Sequence, residues 1–158
     1  MAVRGDGSWS ASEVCVIVPR QNGKGDLLMA RQVVGLFLLG EPLAVHTAHE
    51  FKTCFEHFVR LVQVVESVPA LDKLVTKVRR GAGEQTIEVR GGARLRFLAR
   101  TSGSGRGMSG DTIYLDEAFA LQRTVMGALV PTLSARPNPQ MWMTSSAPQV
   151  TSEVLHRV

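Results

Sequence analysis

The chain has 158 residues, of which 44% are hydrophobic and 20% are charged, and its formal net charge is +4. The apolar fraction is too high and the net charge too low for an intrinsically disordered chain, and no charge-free apolar run approaches the ~18 residues of a membrane span. The length predicts one domain or slightly less. The N-terminal segment is polar and has no apolar signal-peptide core, so we expect the protein in the cytoplasm.

The first predicted elements are a strand, a loop and a helix. Residues 14–19 (VCVIVP) form an uninterrupted β-branched apolar run, which is typical of a strand buried on both faces of a parallel sheet. A polar turn follows, and apolar residues at helical spacing predict a helix over 24–39. A second strand over 43–48 and a second helix over 50–68 continue the alternation.

The second half of the chain predicts an antiparallel insertion and further parallel strands. Residues 71–80 fit either a helix or a strand, whereas 86–89 and 93–99 alternate around two glycines, which indicates a hairpin. The remaining predicted elements are a glycine-rich loop at 101–110, a strand at 112–115, a helix at 121–133 and a strand at 140–144. Strands that alternate with helices predict an α/β fold with a doubly wound parallel sheet.

The turn after the first strand is a candidate phosphate-binding loop. It consists of Pro19, Arg20, Gln21, Asn22, Gly23 and Lys24. Between a buried strand and a helix, backbone N–H groups and the positive helix end face an anion, and a lysine adds a charge for phosphates. The segment departs from the full phosphate-loop motif at Val18 and Gly25, which replace a glycine and a Ser or Thr. The alternative is an ordinary helix N-terminus with a solvated lysine.

Two adjacent carboxylates follow the strand at 112–115. Asp116 could hold Mg²⁺ through water while Glu117 polarises the water that attacks a phosphate. The alternative is a strand that ends in a polar turn. A phosphate loop and an acid pair in one chain support each other, because two independent coincidences would be needed for both patterns to arise without a nucleotide site.

Hydroxyl side chains follow the last predicted strand. They are Thr144, Ser145 and Ser146. Ligands gather at the carboxyl edge of a parallel sheet, so a hydroxyl there can contact a terminal phosphate and respond to its loss. A loop start has the same composition, so this signal is weak alone.

Three other patterns carry weaker hypotheses. Residues 105–110 match a GxGxxG dinucleotide motif, but they precede a strand rather than a helix. Arg106 in this loop fits either an arginine finger or a solvated arginine. Four residues could ligate zinc, although they follow no standard ligand spacing: His46, His49, Cys54 and His57. The alternative is a buried thiol and surface histidines. Cys15 and Cys54 do not predict a disulfide framework.

An arginine-rich segment accounts for much of the positive charge. Its members are Arg79, Arg80, Arg90, Arg94, Arg96 and Arg100, and the sequence pI is about 9.6. Such a segment could follow a nucleic-acid backbone, or it could be the solvated face of a hairpin. Too few aromatic residues are interleaved for a base-stacking surface.

The order of these segments resembles the large terminase subunit of tailed bacteriophages. The segments that carry the resemblance are VPRQNGK at 18–24, TAHE at 47–50, SGRG at 104–107, YLDEA at 114–118 and TSSAP at 144–148. The resemblance implies an additional-strand, RecA-like P-loop ATPase with a three-layer parallel sheet. It implies a homo-oligomeric ring that uses ATP and Mg²⁺ to drive double-stranded DNA into a procapsid, with the portal protein and the small terminase subunit as partners, in the host cytoplasm and without a membrane.

The resemblance also implies a role for each candidate residue. Residues 20–24 would be a deviant Walker A loop, with Pro19 and Gly25 beside it. Asp116 would be the metal carboxylate and Glu117 the catalytic base, while Thr144, Ser145 and Ser146 would couple hydrolysis to DNA movement. Arg106 would complete the site of a neighbouring subunit in trans.

Three departures from the family pattern leave alternatives open. Gly25 stands where a hydroxyl would ligate Mg²⁺, so we expect either a water in that place or weaker metal binding. We also expect residues 1–158 to be a partial ATPase domain, without the upstream adenine-contacting segment and without the C-terminal nuclease domain. The rival hypotheses are a non-catalytic terminase remnant or interaction module, and a helicase-like translocase, which would need a second lobe.

Overall fold

A mostly parallel sheet organises the part of the chain that the computed structural model describes, which is residues 3–81, 83, 85–100, 108–147 and 152–155. Its seven strands are β1 (Glu13–Ile17), β2 (Leu43–Ala48), β3 (Val75–Arg79), β4 (Thr86–Val89), β5 (Arg94–Ala99), β6 (Thr112–Leu115) and β7 (Gln140–Ser145). Their order across the sheet is β1-β7-β6-β2-β5-β4-β3. The first five in this order are parallel, and β4 pairs antiparallel with both β5 and β3.

Helices cover both faces of this sheet. They are α1 (Lys24–Val33), α2 (Phe51–Ser67), α3 (Pro69–Asp72) and α4 (Arg123–Ser134), with a π-helical turn at Val34–Leu38 and a 3₁₀ turn at Ala118–Ala120. Alternate strand residues point to opposite faces. Leu95 and Tyr114 therefore pack in the cluster under α1 and α2, while Ile113, Leu115 and Met141 pack in the cluster under α4. The predicted α/β class, with three layers and an antiparallel insertion, is confirmed.

The structure resolves one ambiguous segment and corrects one prediction. The ambiguous segment at 71–80 contains the end of α3 and the strand β3. The prediction that the strand over 14–19 is buried on both faces is wrong, because Ile17 is exposed, Val14 to Val16 are only half-buried, and β1 lies at the edge of the described sheet. Within the described residues only β7 pairs with it, and an apolar run alone does not reveal how many neighbours a strand has.

A buried ion pair holds the amino end of the sheet. The guanidinium of Arg31 pairs with Glu41 and also donates to Gln140 Oε1 at 3.0 Å. A Cβ on Gly35 would lie 2.6 Å from Arg31 Nη1 and closer still to the carboxylate of Glu41. Gly35 belongs to the π-helical turn, so the absence of a side chain there lets the buried pair form.

Membrane crossing and disulfide bonding find no support in the described residues. None of the described helices has the length and apolarity that a membrane crossing requires. Cys15 and Cys54 are free thiols, and burial raises the pKa of Cys54 to about 12.

Candidate functional site

The carboxyl ends of the parallel strands bring the predicted segments to one edge of the sheet. The register aligns Leu115 of β6 with Met143 of β7, so the next residues, Asp116 and Thr144, are neighbours. The loop after β1 joins the same edge, because Val18 N donates to the carbonyl of the last β7 residue at 3.1 Å. Strand β7 thus lies between the strand before the loop and the strand before the acid pair.

The loop between β1 and α1 presents backbone N–H groups at a helix N-terminus. Gln21 and Gly23 adopt left-handed backbone conformations, with φ of 62° and 74°. For Gln21 this is an uncommon conformation, of the kind that clusters at functional loops. Gly23 is the N-cap of α1, and no side chain caps the first turn. The first N–H groups of α1 are therefore suited to an anion.

Lys24 lies back across its own loop. Its Nζ donates to the carbonyl of Pro19 at 2.9 Å and to the carbonyl of Val18 at 3.3 Å. An ammonium carries three protons, so a phosphate could replace these carbonyls as the acceptor. The neighbouring Arg20 and Asn22 are exposed.

The carboxylate of Asp116 is oriented by hydrogen bonds to one of its two oxygens. Its Oδ1 accepts from Thr144 Oγ1 at 2.8 Å and from the backbone N of Glu117 at 2.8 Å. Oδ2 accepts no hydrogen bond from the described residues. One oxygen therefore fixes the carboxylate and the other is left for a cation. Thr144 also connects β7 directly to the acid.

Glu117 occupies an unusual backbone conformation. Its φ of 53° and ψ of 48° lie in the left-handed region, which costs free energy for a residue with a side chain. Oε1 accepts a hydrogen bond from Thr53 Oγ1 of α2 at 3.4 Å. Oε2 is buried and finds no partner within the described part of the chain. The side chain is therefore held at the edge of the sheet, and Oε2 can accept a hydrogen bond from a ligand or a water.

Arg100 is a site residue that the sequence prediction missed. Directly after β5, its guanidinium donates to the carbonyls of Thr47 at 3.2 Å, Asp116 at 2.6 Å and Glu117 at 3.1 Å. Burial lowers its pKa to about 10, although the charges of the two acids act in the opposite direction, so it remains a cation at neutral pH.

The prediction that placed Arg100 in a basic segment, either along a nucleic-acid backbone or on a solvated hairpin face, is wrong. The side chain is buried behind the acid pair and holds the backbone turn that carries both carboxylates. Its position immediately after a strand was the available signal, since the same reasoning identified Asp116.

A buried stack of two histidines lies beside the loop. The rings of His46 and His57 are parallel, with centroids 4.2 Å apart. Gln32 of α1 bridges them, with its Nε2 3.0 Å from His46 Nδ1 and its Oε1 2.8 Å from His57 Nε2. Burial lowers the pKa of His57 to about 4 and that of His46 well below its ordinary value.

This stack does not form the zinc site considered from the sequence. Gln32 engages one nitrogen of each ring, His49 is exposed, and Cys54 Sγ lies 3.9 Å from the carbonyl oxygen of His46. Among the described residues, no three His, Cys, Asp or Glu side chains are grouped closely enough to hold a metal ion.

Several solved structures are similar to the chain. For the large terminase of bacteriophage HK97, the TM-score is 0.75 at 18% identity, over 89% of this chain and 30% of that one. For the large-terminase ATPase domain of Thermus phage P74-26, it is 0.69 at 22% identity, over 90% of this chain and 62% of that one. The chain has the fold of a phage large-terminase ATPase domain.

Another similar structure is the large terminase of the thermophilic bacteriophage D6E in complex with ATP-gamma-S. Its TM-score is 0.62 at 13% identity, over 85% of this chain and 32% of that one. The chain thus spans less than two thirds of each of these terminase structures. No family model matches the chain, and no curated protein matches it in sequence.

The polar groups at the carboxyl edge of the sheet are suited to bind a polyanion together with a cation such as Mg²⁺. Three buried side-chain oxygens make no hydrogen bond within the described ranges: Thr47 Oγ1, Glu117 Oε2 and Ser145 Oγ. Buried polar atoms are normally paired, so this edge is suited to a polar ligand. Mg²⁺ usually takes one or two carboxylates and completes its shell with waters and phosphates, which matches Asp116 Oδ2, to which no described residue donates.

Not every predicted site residue can be placed. Thr144 and Ser145 are fully buried, and Ser146 is half-buried at the end of β7. Arg106, with the rest of 101–107, lies outside the described residues, as does 148–151. The finger role of Arg106 therefore stays a prediction.

Proposed function

We propose that the chain is a segment of the ATPase motor of a phage DNA-packaging terminase, which hydrolyses ATP to move double-stranded DNA into a procapsid. The observation that carries this proposal is the meeting of loop, acid pair and hydroxyls at one sheet edge, within the fold of large-terminase ATPase domains. The loop lies before α1, and β7 separates it from the acids.

In this proposal each residue of the edge has one task. The first amides of α1 and Lys24 bind the phosphates of ATP, with residues 19–25 forming the loop around them. Asp116 holds Mg²⁺ through water, and a bound Mg²⁺ would offset the negative charge of the phosphate oxygens. Glu117 orients the attacking water, for which Oε2 is available because it has no partner among the described residues.

Coupling to DNA movement is assigned to Thr144, Ser145 and Ser146. The hydrogen bond from Thr144 to Asp116 supports this role, because a change at the acid would reach β7 directly. We propose that Arg106 supplies a positive charge to the site of a neighbouring subunit in a ring. The portal protein and the small terminase subunit are the proposed assembly partners.

A basic face on the antiparallel strands is the proposed DNA contact. Two cross-strand rows lie on it: Lys77, Glu88 and Arg94 in one, Arg79, Thr86 and Arg96 in the other. A polar cleft of about 250 Å³ opens between them. Four cations against one carboxylate give a positive surface, and cations at neighbouring strand positions can contact successive phosphates of DNA. The alternative remains a solvated face.

Substitution of the proposed base tests the ATPase assignment. Glu117→Gln keeps the size of the side chain and removes its charge, so ATP turnover should fall at least about 100-fold while a fluorescent ATP analogue still binds. Glu56→Gln is the matched control, because the side chain of Glu56 is exposed on α2 and pairs with Lys52. Normal turnover in Glu117→Gln would contradict the proposal.

A non-catalytic remnant is the second candidate. Gly25 in place of a hydroxyl residue and the hydrogen bonds of Lys24 to its own loop favour it. Titration with a fluorescent ATP analogue, with Mg²⁺ and with EDTA, separates the two candidates. A remnant should show no saturable metal-dependent binding, whereas a motor segment should.

A further inference from the structure

An imidazole faces the position in the loop where a hydroxyl is missing. A Cβ built on Gly25 would lie 3.8 Å from His57 Nδ1 and 3.9 Å from Arg60 Nη1. These are ordinary contact distances, so His57 borders the space that a side chain at residue 25 would enter. His57 belongs to α2, which packs beside the loop, and its side chain is buried.

The hydrogen bonds of the stack determine which nitrogen of His57 carries the proton. Gln32 Oε1 is an acceptor only, so His57 Nε2, 2.8 Å away, must donate its hydrogen. The other end of the same amide, Nε2, lies 3.0 Å from His46 Nδ1, to which it donates. In a neutral imidazole, Nδ1 of His57 is then a lone-pair acceptor, and it makes no hydrogen bond to the described residues.

The imidazole is also neutral and rigid. Burial lowers the pKa of His57 to about 4, against the opposing charge of Asp116, so the ring is uncharged at neutral pH. The stack on His46 and the contact with Phe97, whose ring centroid is 6.2 Å away, restrict its rotation. A fixed acceptor therefore points toward Gly25.

We propose that His57 is a positioning residue for the metal ion: its Nδ1 accepts a hydrogen bond from a Mg²⁺-bound water that takes the place of the missing hydroxyl at Gly25. This inference rests on the proposed nucleotide site. Mg²⁺ loses its waters reluctantly, so a water in its shell is a natural substitute for a side-chain hydroxyl. Outer-shell partners of this kind typically change metal affinity by about 10- to 100-fold.

The test measures how strongly Mg²⁺ improves nucleotide binding. The dissociation constant of a fluorescent ATP analogue is determined with Mg²⁺ and with EDTA, and the ratio of the two is compared among variants. His57→Phe keeps an aromatic ring in the stack but removes the acceptor, so the ratio should fall at least about tenfold while affinity in EDTA is unchanged.

Two further variants distinguish positioning from packing. Adding Gly25→Ser to His57→Phe supplies the hydroxyl directly and should restore the ratio, since a Cβ at Gly25 meets only ordinary contacts. Phe58→Leu is the matched control for packing, because Phe58 lies beside His57 on α2 and packs on Phe97 in the same cluster, but its side chain makes no hydrogen bond to Gln32. Its ratio should equal that of the wild type.

A direct measurement covers the case in which His57→Phe does not fold. In wild-type protein saturated with nucleotide, the ¹⁵N resonance of His57 Nδ1 should move upfield when Mg²⁺ is added, and not when nucleotide alone is added. An unchanged resonance, or an unchanged ratio in folded His57→Phe, would overturn the inference. Failure of the wild type to bind nucleotide even in EDTA would instead overturn the proposed function.

Discussion

Acidification should destabilise this protein through its buried histidines. The pKa of His57 is about 4 in the folded chain, because burial disfavours the charged ring, and about 6.5 in an unfolded chain. Between these two values the unfolded state binds more protons than the folded state, so the free energy of unfolding decreases as the pH falls. The effect is absent above about pH 6.5 and is complete below about pH 4.

The magnitude follows from the two pKa values. For a group that titrates at about 6.5 when unfolded and about 4 when folded, linkage gives a loss of about 2 kcal/mol between pH 7.5 and pH 5. His46 adds to this loss, because its pKa is lowered in the same direction by burial and by His57 and Arg100. Of the charges that act on His57, Asp116 and Asp26 raise its pKa and Arg60 lowers it.

Urea unfolding at pH 7.5 and pH 5, followed by tryptophan fluorescence, measures this loss. The same experiment on His57→Phe should show a pH dependence that is smaller by about 2 kcal/mol. The unpaired Gln32 in that variant lowers stability equally at both pH values. NMR titration of the His57 ring gives the folded pKa directly. A midpoint near 6, or an equal pH dependence in both proteins, would refute the reasoning.

Four further outcomes are expected. Gly35→Ala should lower the free energy of unfolding by about 3 kcal/mol, because its Cβ would separate the buried ion pair; an unchanged urea midpoint would contradict this. Arg100→Met should reduce ATP turnover at least about tenfold with the circular dichroism spectrum retained, since it releases the turn behind the acids. Arg106→Ala subunits mixed with wild type should reduce ATPase activity more than in proportion, whereas proportional loss would exclude a finger in trans. Arg96→Ala should reduce the salt dependence of double-stranded DNA binding by about one unit of log–log slope, and an unchanged slope would favour a solvated face.

Much of the candidate site was predictable because its residues sit at ends of elements. An apolar run followed by Asp116 and Glu117 marks the carboxyl end of a strand, and a polar turn before Lys24 marks the start of a helix. Local patterns of this kind need no knowledge of distant contacts. The same reasoning failed for Arg100, because its arginine-rich surroundings suggested a wet hairpin face rather than a buried cation.

The sequence by itself determined the alternation of strands and helices, the α/β class and the chemistry available at the strand ends, since hydrophobic periodicity and turn residues act locally. Tertiary structure alone decided the strand order, which puts β7 between β1 and β6 and brings Thr144 to Asp116. It also decided that β1 lies at the edge of the described sheet and that Gln32 joins His46 to His57. These features depend on which distant segments pack together, and burial then sets the charge and hydrogen bonding of each side chain.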